Sequence, residues 1–556
     1  MSNIKNKKTP LQLASKKKKI SFFSAIIMVI CSSIGAGIFI KNHEILADVH
    51  GAIIYAIIPW LVAIMGIIAL TFALVEICSG SGENNNQGIV GWVRKFNSKF
   101  LYMGTKNFMT WLHLPIYFFI LPMYLVMTLQ EGFGFSMSWW GVLLIVLAIS
   151  SYFIIVSGIS AKMANIHSHV TMLVKVLPIL FATITGFMML GFGKGGDMSW
   201  TTSRDEMTKH TYLFADQNIF MGIMCAVPAV FFAFDGFYAA AGIQTSMREP
   251  RKVSMAMALG VSIVSLIDIL ITLSLVLGTN SGKMVDLQVA SWMLQIAQLC
   301  VAIGILGIIN GFAIYAGRYY NELVITNEIP FAKKLKKWLK PNSFFLGVII
   351  AEVIFVIFTI VFGLVGAYAF INTGHYGIIP GWDGGNNGKE TKYYDSSQNT
   401  NLDGNFHLCT LYSFADLIGN WNAVLAFLCI VFAVIGCLIN RKTNRTKVIK
   451  TKSFLPGAIV CTIVVSIVMI FTCAKAIGDF VFILGYYFNG SPIDKFHPNT
   501  PGYDNNGNPI TISDVIGGVM QIVVAIGFLS IMFIPAFIRD RMDNKKGIHK
   551  YSHALW

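Results

Sequence analysis

Few side chains in this chain could do chemistry, and those that could sit in two glycine-marked apolar stretches. The first, SSIGAGIF at 32–39, places Gly35, Ala36 and Gly37 in the middle of an apolar segment. Each glycine weakens a helix by about 1 kcal/mol, so the helix can open there. Peptide N–H and C=O groups released inside a bilayer are tolerated only where they face protein, water or a ligand. An opening therefore implies a solute or ion held by backbone dipoles. The same small residues also suit a helix-packing face, and the residues alone leave both readings open. The second stretch, FFAFDGF at 231–237, follows Pro228 and sets Asp235 beside Gly236. Proline removes a helical hydrogen bond, and a carboxylate in hydrocarbon faces the bundle interior or an aqueous cavity. Phe231 and Phe234 could wall a pocket. Helical phase turns Phe234 and Asp235 about 100° apart, however, so the two need not line one cavity.

These stretches need membrane helices to position them, and composition supplies that class. Of 556 residues, 55% are hydrophobic and 12% charged; a soluble domain carries about a quarter charged residues. The net charge of +15 does not indicate nucleic acid, because the basic residues form short patches between apolar spans, as cytoplasmic loops do. The basic start, with Lys5, Lys7, Lys8 and Lys16 to Lys19, precedes an apolar span without a small-residue cleavage site, so that span reads as retained. Nine cysteines show neither metal-ligand spacing nor a disulfide framework, and read as packing residues. No metal is expected.

Twelve spans are predicted, at 20–40, 52–77, 104–130, 138–158, 168–192, 217–245, 254–278, 289–318, 343–370, 414–439, 454–485 and 512–538. With a cytoplasmic start, the strongly basic patches at Arg94 to Lys99, Arg248 to Lys252, Arg318 to Lys340, Arg441 to Lys452 and the C-terminal tail all fall inside. That agreement favours a multi-pass protein of the cell membrane with both termini cytoplasmic. The segment from 371 to 411, rich in Gly, Asn, Tyr and Asp, reads as an outside loop or cap, with 490–509 beside it and with His407 and His497 as surface histidines. Spans one and six, the two with glycine-weakened centres, occupy corresponding places in two groups of five. That spacing points to an inverted repeat with a site at the bilayer midplane. Other polar residues read as peripheral. Lys106, His113 and Gln130 lie near the ends of span three and within snorkelling reach of an interface. Lys475 and Asp479 are spaced as a helix-surface pair. Asp268 and Glu352 read as paired or interfacial, and Asn310-Gly311 as a local opening or a close contact.

Taken together and in order, these motifs resemble the amino acid-polyamine-organocation (APC) superfamily, specifically the amino acid permeases. SSIGAGIF is similar to the family's first-helix glycine motif. ALVEICSGSG at 73–82 resembles the end of its second helix, with Cys78 and Gly80 substituted and the usual proline missing. FFAFDGF resembles the broken sixth helix, Arg248-Glu249-Pro250-Arg251 the turn after it, and Arg318 to Pro330 the pattern after helix eight, with Ile329 for leucine.

The resemblance implies an all-α polytopic membrane protein with a LeuT-like five-plus-five inverted repeat and two additional C-terminal helices. The implied units are a cytoplasmic basic tail 1–19, a first five-helix repeat 20–192, a second repeat 217–439 that includes the extracellular loop 371–411, helices eleven and twelve at 454–538, and a cytoplasmic tail 539–556. It further implies alternating access, with Ser33 to Gly37 (Ser33, Ile34, Gly35, Ala36, Gly37) toward a substrate carboxylate, Phe231 to Phe234, with Ala233 between them, toward its amine, and Ile34, Ile38, Phe231, Phe234 and Phe237 as apolar surroundings that favour a neutral or hydrophobic amino acid. Half-helix N-termini suit anions and carbonyl ends suit cations, so a zwitterion fits both. Asp235 either recognises a cationic side chain or caps the helix. Lys175, in VTMLVKVLPILF, resembles a fifth-helix lysine that fills the sodium position of sodium-coupled relatives, between helices one, five and eight. It would couple transport to a proton gradient, with sodium left open, while a snorkelling lysine is the competing reading. The expected activity is secondary uptake of free amino acids, not enzymatic and without cofactors; no phosphate-binding loop for ATP is found. The alternatives are an amino acid exchanger, a polyamine permease and a non-transporting nutrient sensor. A channel fits worse, without a pore loop or charge ring. The partners expected are the substrate and the lipid bilayer, with no nucleic acid and no obligate protein.

Overall fold

The computed structural model describes residues 21–33, 37–80, 88–135, 137–196, 200–201, 214–238, 248–249, 252–329, 332–338, 345–369, 403–489 and 512–545. Among these residues the secondary structure is helical, without strands. Ten helices are long and apolar enough to cross a membrane. The two predicted spans missing from that set are the first and the sixth. The first consists of α1 (Phe22–Ser33) and α2 (Gly37–Asp48), of 12 residues each. Ile34, Gly35 and Ala36, between the two pieces, lie outside the described residues. The sixth is α9 (Ile219–Phe234), 16 residues long.

The remaining elements are α3 (Ile53–Ser79), α4 (Ile89–Phe96), α5 (Lys99–Phe108), a π turn (Met109–His113) running into α6 (Leu114–Phe133), α7 (Trp139–Ile159), α8 (Ala161–Gly191), α10 (Val253–Gly278), α11 (Ser291–Ile325), α12 (Ala332–Trp338), α13 (Phe345–Leu364), α14 (Asp403–Thr443), α15 (Phe454–Asn489) and α16 (Ile512–Lys545). Two basic segments read as loops hold short helices. In α4 the buried face is Ile89, Val90, Trp92, Val93 and Phe96, with Arg94 and Lys95 in the last turn, where the helix dipole favours cations.

Packing shows a pattern in the order of spans: four of the five pairs of helices five apart in the first ten spans are in contact. Counting α1 and α2 together as span one, α2 packs on α9, α3 on α10, α6 on α11 and α7 on α13. Exchanging the two groups of five converts one contact into another. The α1–α10 contact has α9–α3 as its counterpart, α11–α8 has α6–α14, and α11–α7 has α6–α13. A pseudo-two-fold arrangement produces such exchange. It places α1, α2, α6, α9 and α11 around the middle of the bundle.

Several predicted boundaries are corrected. Span one continues to Asp48, because Lys41, Asn42 and Glu44 are taken up by polar partners inside the bundle. Span five starts at Ala161, with Ser160 capping through Met163 N–H. Span ten starts at Asp403, so 403–411 is helix, not loop; His407 is half-buried and bonds the Ala367 carbonyl at 2.7 Å. Span twelve continues to Lys545, so 539–545 is helix, not tail; the rest of the 371–411 segment, 490–509 with His497, and the tail residues 1–19 and 546–556 lie outside the described residues.

Candidate functional site

The site begins where helices end. The described part of α1 reaches Ser33 and that of α2 begins at Gly37, while Ile34, Gly35 and Ala36 lie outside the described residues. α9 stops at Phe234: Asp235 turns extended, and Gly236 has φ +107°, a conformation glycine alone takes without strain. Gly37 is pressed against α9. A methyl there would come 2.7 Å from Ala233 Cα, so only hydrogen fits.

These ends line, with α6 and α11, a small cavity. Its polar lining comprises Ser33, Tyr117, Tyr124 and Asp235, and its apolar lining includes Ile40, Leu121, Phe232, Ala233, Ile308 and Phe312. Ser33 Oγ is buried without a hydrogen-bond partner. Tyr117 donates its hydroxyl to Asp235 Oδ2 and stacks on Phe312 at 4.2 Å between centroids. Pro115 contributes to the placement of Tyr117: it lacks an amide N–H and sits just after the π turn that carries His113.

Of the predicted site residues, Ser33, Gly37, Ala233 and Asp235 come together in this lining. Phe231 and Phe234 do not line it. Phe231 stacks on Phe427 at 4.5 Å, and Phe234 meets Trp60 edge-on at 6.0 Å. The aromatic wall on α9 is Phe232, one residue on, set edge-on to Tyr124. Ile38 is buried in the core and Ile40 takes the lining position. Lys175 is half-buried and lies across Gly304 and Gly307 of α11, where added methyls would meet its Cγ at 3.2 Å and its Cε at 3.5 Å. That places its stem at the seam of spans five and eight.

Sequence reasoning missed the layer next to the cavity. Lys41, 0% exposed, donates to Glu44 at 2.7 Å and to Asp416 of α14 at 2.9 Å. Tyr124 also donates to Asp416, at 2.6 Å, and Asn420 holds Glu44 at 2.8 Å. The Lys41 ammonium lies 5.3 Å from the centre of the Phe232 ring, a cation–π contact. One turn on, Asp48 takes Lys475 of α15 at 3.0 Å. The available signal was the spacing of Lys41, Glu44 and Asp48, which one helical face satisfies. Lys475 thus reaches α2, and Asp479 accepts the Phe214 N–H at 2.8 Å, in place of a helix-surface pair.

A second polar layer ties other elements. Glu328 accepts the Tyr102 hydroxyl and faces Arg94 and Lys106, each at 3.4 Å. Glu76, fully buried, receives Arg441 through Nε at 2.9 Å and Nη2 at 2.7 Å, and the Thr451 N–H at 3.1 Å. Lys106, His113 and Gln130, read as interfacial, are all buried. Lys106 pairs with Glu328, His113 bonds Asn422 and Tyr238, and Gln130 accepts from Tyr412. Asn310 marks close packing, not an opening: its amide donates to Ala164 O and Ser168 Oγ on α8, both at 2.9 Å. Asp268 is buried in α10, and Glu352 accepts from Ser151. Among the described residues no cluster of three or more His, Cys, Asp or Glu could hold a metal.

Comparison with known proteins gives three findings. Residues 20–499 match the family described as amino acid permease. A protein of Mycoplasma pneumoniae, described as uncharacterized, is 32% identical over 96% of both chains. The serine/threonine exchanger SteT of Bacillus subtilis is 24% identical over 57% of this chain and 71% of its own.

Proposed function

Because this chain belongs to the amino acid permease family, a family of membrane transporters with an all-α, LeuT-like fold, we propose that it carries free amino acids across the cell membrane by alternating access, as a secondary transporter driven by a proton gradient. The observation that carries this reading is the cavity between the ends of α1, α2 and α9, with Ser33 and Asp235 set among aromatic and aliphatic walls. A break before α2 would turn first-turn N–H groups toward it, suited to a carboxylate. The α9 end and Asp235 suit an ammonium. Ile40, Leu121, Phe232, Ile308 and Phe312 favour a neutral or apolar side chain, with the Tyr117 and Tyr124 hydroxyls able to take a small polar one. In this reading both termini are cytoplasmic and Lys175 takes part in proton coupling.

Exchange of one amino acid for another is a second reading, favoured by the printed name of the Bacillus subtilis relative. Counterflow in sealed proteoliposomes across a panel of amino acids and polyamines tests both. Saturable counterflow of neutral amino acids is expected. Saturable binding without flux would replace transport by sensing, and flux of polyamines alone would reassign the substrate. Accumulation under an inward proton gradient separates uptake from exchange, and Lys175→Ala should abolish it while keeping counterflow.

A further inference from the structure

The connection between α14 and α15 carries more charge than its packing uses. From Arg441 to Lys452 the sequence reads RKTNRTKVIKTK, six basic residues without an acid, and no acidic residue occurs between Asp416 and Asp479. The connection is nevertheless fixed in shape. Asn440 accepts the Thr446 N–H at 2.8 Å and donates to the Thr446 carbonyl at 2.9 Å. The Ile449 N–H donates to Ser79 Oγ at 2.8 Å, and the Thr451 N–H to the buried Glu76 at 3.1 Å. Arg441 turns inward, onto Glu76 and the Thr451 carbonyl. Val448 packs against Gly80, where a methyl would come 2.9 Å from its Cγ1. One side of the connection is thus held on α3. The other side presents Lys442, Arg445, Lys447, Lys450 and Lys452, all exposed, and among them Ile449, 52% exposed.

We propose that this connection is a binding surface for the headgroups of anionic phospholipids, the exposed cations taking their phosphates and Ile449 entering the apolar edge of the bilayer. α14 and α15 are both long and apolar enough to cross a membrane. Only ten residues, 444–453, separate them, so the connection stays within reach of the headgroup layer. An apolar side chain exposed among cations suits that layer, because the cations meet phosphate while the side chain meets acyl chain. The apolar surface continues into the first turn of α15 with Leu455, 47% exposed. A surface already shaped by Glu76, Ser79 and Asn440 loses little conformational freedom on binding. Each basic residue close to an anionic surface strengthens attachment about fivefold, a gain that salt screens. The proposal does not depend on what the cavity carries; placing the surface on the inner leaflet rests on the cytoplasmic termini proposed above.

The test gives the purified full-length protein, in detergent, equal amounts of phosphatidylglycerol and phosphatidylcholine and counts bound lipid by native mass spectrometry. Wild type should retain phosphatidylglycerol in excess. The triple variant Arg445→Gln, Lys447→Gln, Lys452→Gln should cut that excess by about tenfold or more; Lys450 stays in place because it braces Asn444 at 2.8 Å. A control triple, Lys162→Gln, Lys334→Gln, Lys337→Gln, removes the same charge from other exposed positions and should leave the excess in place. No excess in the wild type, an excess unchanged in the first variant, or an equal loss in the control would overturn the proposal. Displacement of the lipid by an equal concentration of inorganic phosphate would overturn it too, by marking a site for free anions. Should the first variant fail to fold, the wild type decides. In phosphatidylglycerol nanodiscs Lys442, Lys447 and Lys452 should react several-fold more slowly with a soluble amine reagent than in phosphatidylcholine nanodiscs, read by peptide mass; equal rates contradict the surface. Neither readout involves transport, so failure here leaves the amino acid cavity standing, and absence of counterflow leaves the lipid surface standing.

Discussion

At Gly37 one methyl group is enough to disturb the site, because the nearest atom is backbone: Ala233 Cα at 2.7 Å. Gly37→Ala must push α2 away from α9, and overpacking of this kind costs about 1–3 kcal/mol. Substrate affinity is expected to fall about tenfold, the factor that ~1.4 kcal/mol represents, with insertion into the membrane unchanged; scintillation proximity binding on purified protein reads both. Asp235→Asn separates two roles of that side chain. Equal loss for neutral and cationic substrates in a competition assay marks ammonium binding, the outcome expected here. Selective loss of lysine and arginine would mark side-chain recognition. Both positions were legible in the sequence, since glycine and aspartate inside apolar runs stand out by cost alone. The wall residue was not: in a run of phenylalanines, hydropathy cannot tell Phe232, which faces the cavity, from Phe231 and Phe234, which face Phe427 and Trp60. Phase within α9 is set by which side packs on α2, α3 and α14, a tertiary fact.

At the scale of elements, α2 shows why charge in a helix is a poor marker of its end. The predicted span closes at residue 40, before Lys41, Glu44 and Asp48, yet these three tie α2 to α14 and α15. Hydropathy measures the cost of leaving water and is blind to partners supplied from more than 350 residues away, as Asp416 is, with a separation of 375. Removing Lys41 leaves Glu44 and Asp416 facing each other without their shared cation. Breaking a buried pair costs about 3–5 kcal/mol, so Lys41→Met should lower the thermal unfolding midpoint in detergent and expose the cavity to a thiol reagent at an introduced Ser33→Cys. Asp416→Asn should do less, because its carboxylate is partly exposed, with a side-chain exposure of 42%. Arg441→Ala isolates the fully buried Glu76 and should destabilise by a similar ~3–5 kcal/mol. The added change Glu76→Gln should recover part of that loss; no recovery would argue that Arg441 acts through its contact with Phe454.

For the whole molecule, the order of spans was legible because twelve apolar runs and one-sided basic patches agree, and the ten long helices together with the shorter α1, α2 and α9 follow that order. The pairing of helices five apart could only be guessed at from two glycine motifs, since contacts between α3 and α10 or between α7 and α13 leave no local mark. The central claim is that the ends of α1, α2 and α9 hold an amino acid that is carried across the membrane. It is tested most directly by counterflow in proteoliposomes containing wild type or Gly37→Leu. The account predicts saturable accumulation of a labelled neutral amino acid against the same unlabelled amino acid inside, lost in Gly37→Leu with equal protein in the membrane. Counterflow unchanged in Gly37→Leu, or absent for every amino acid in the wild type, would contradict it.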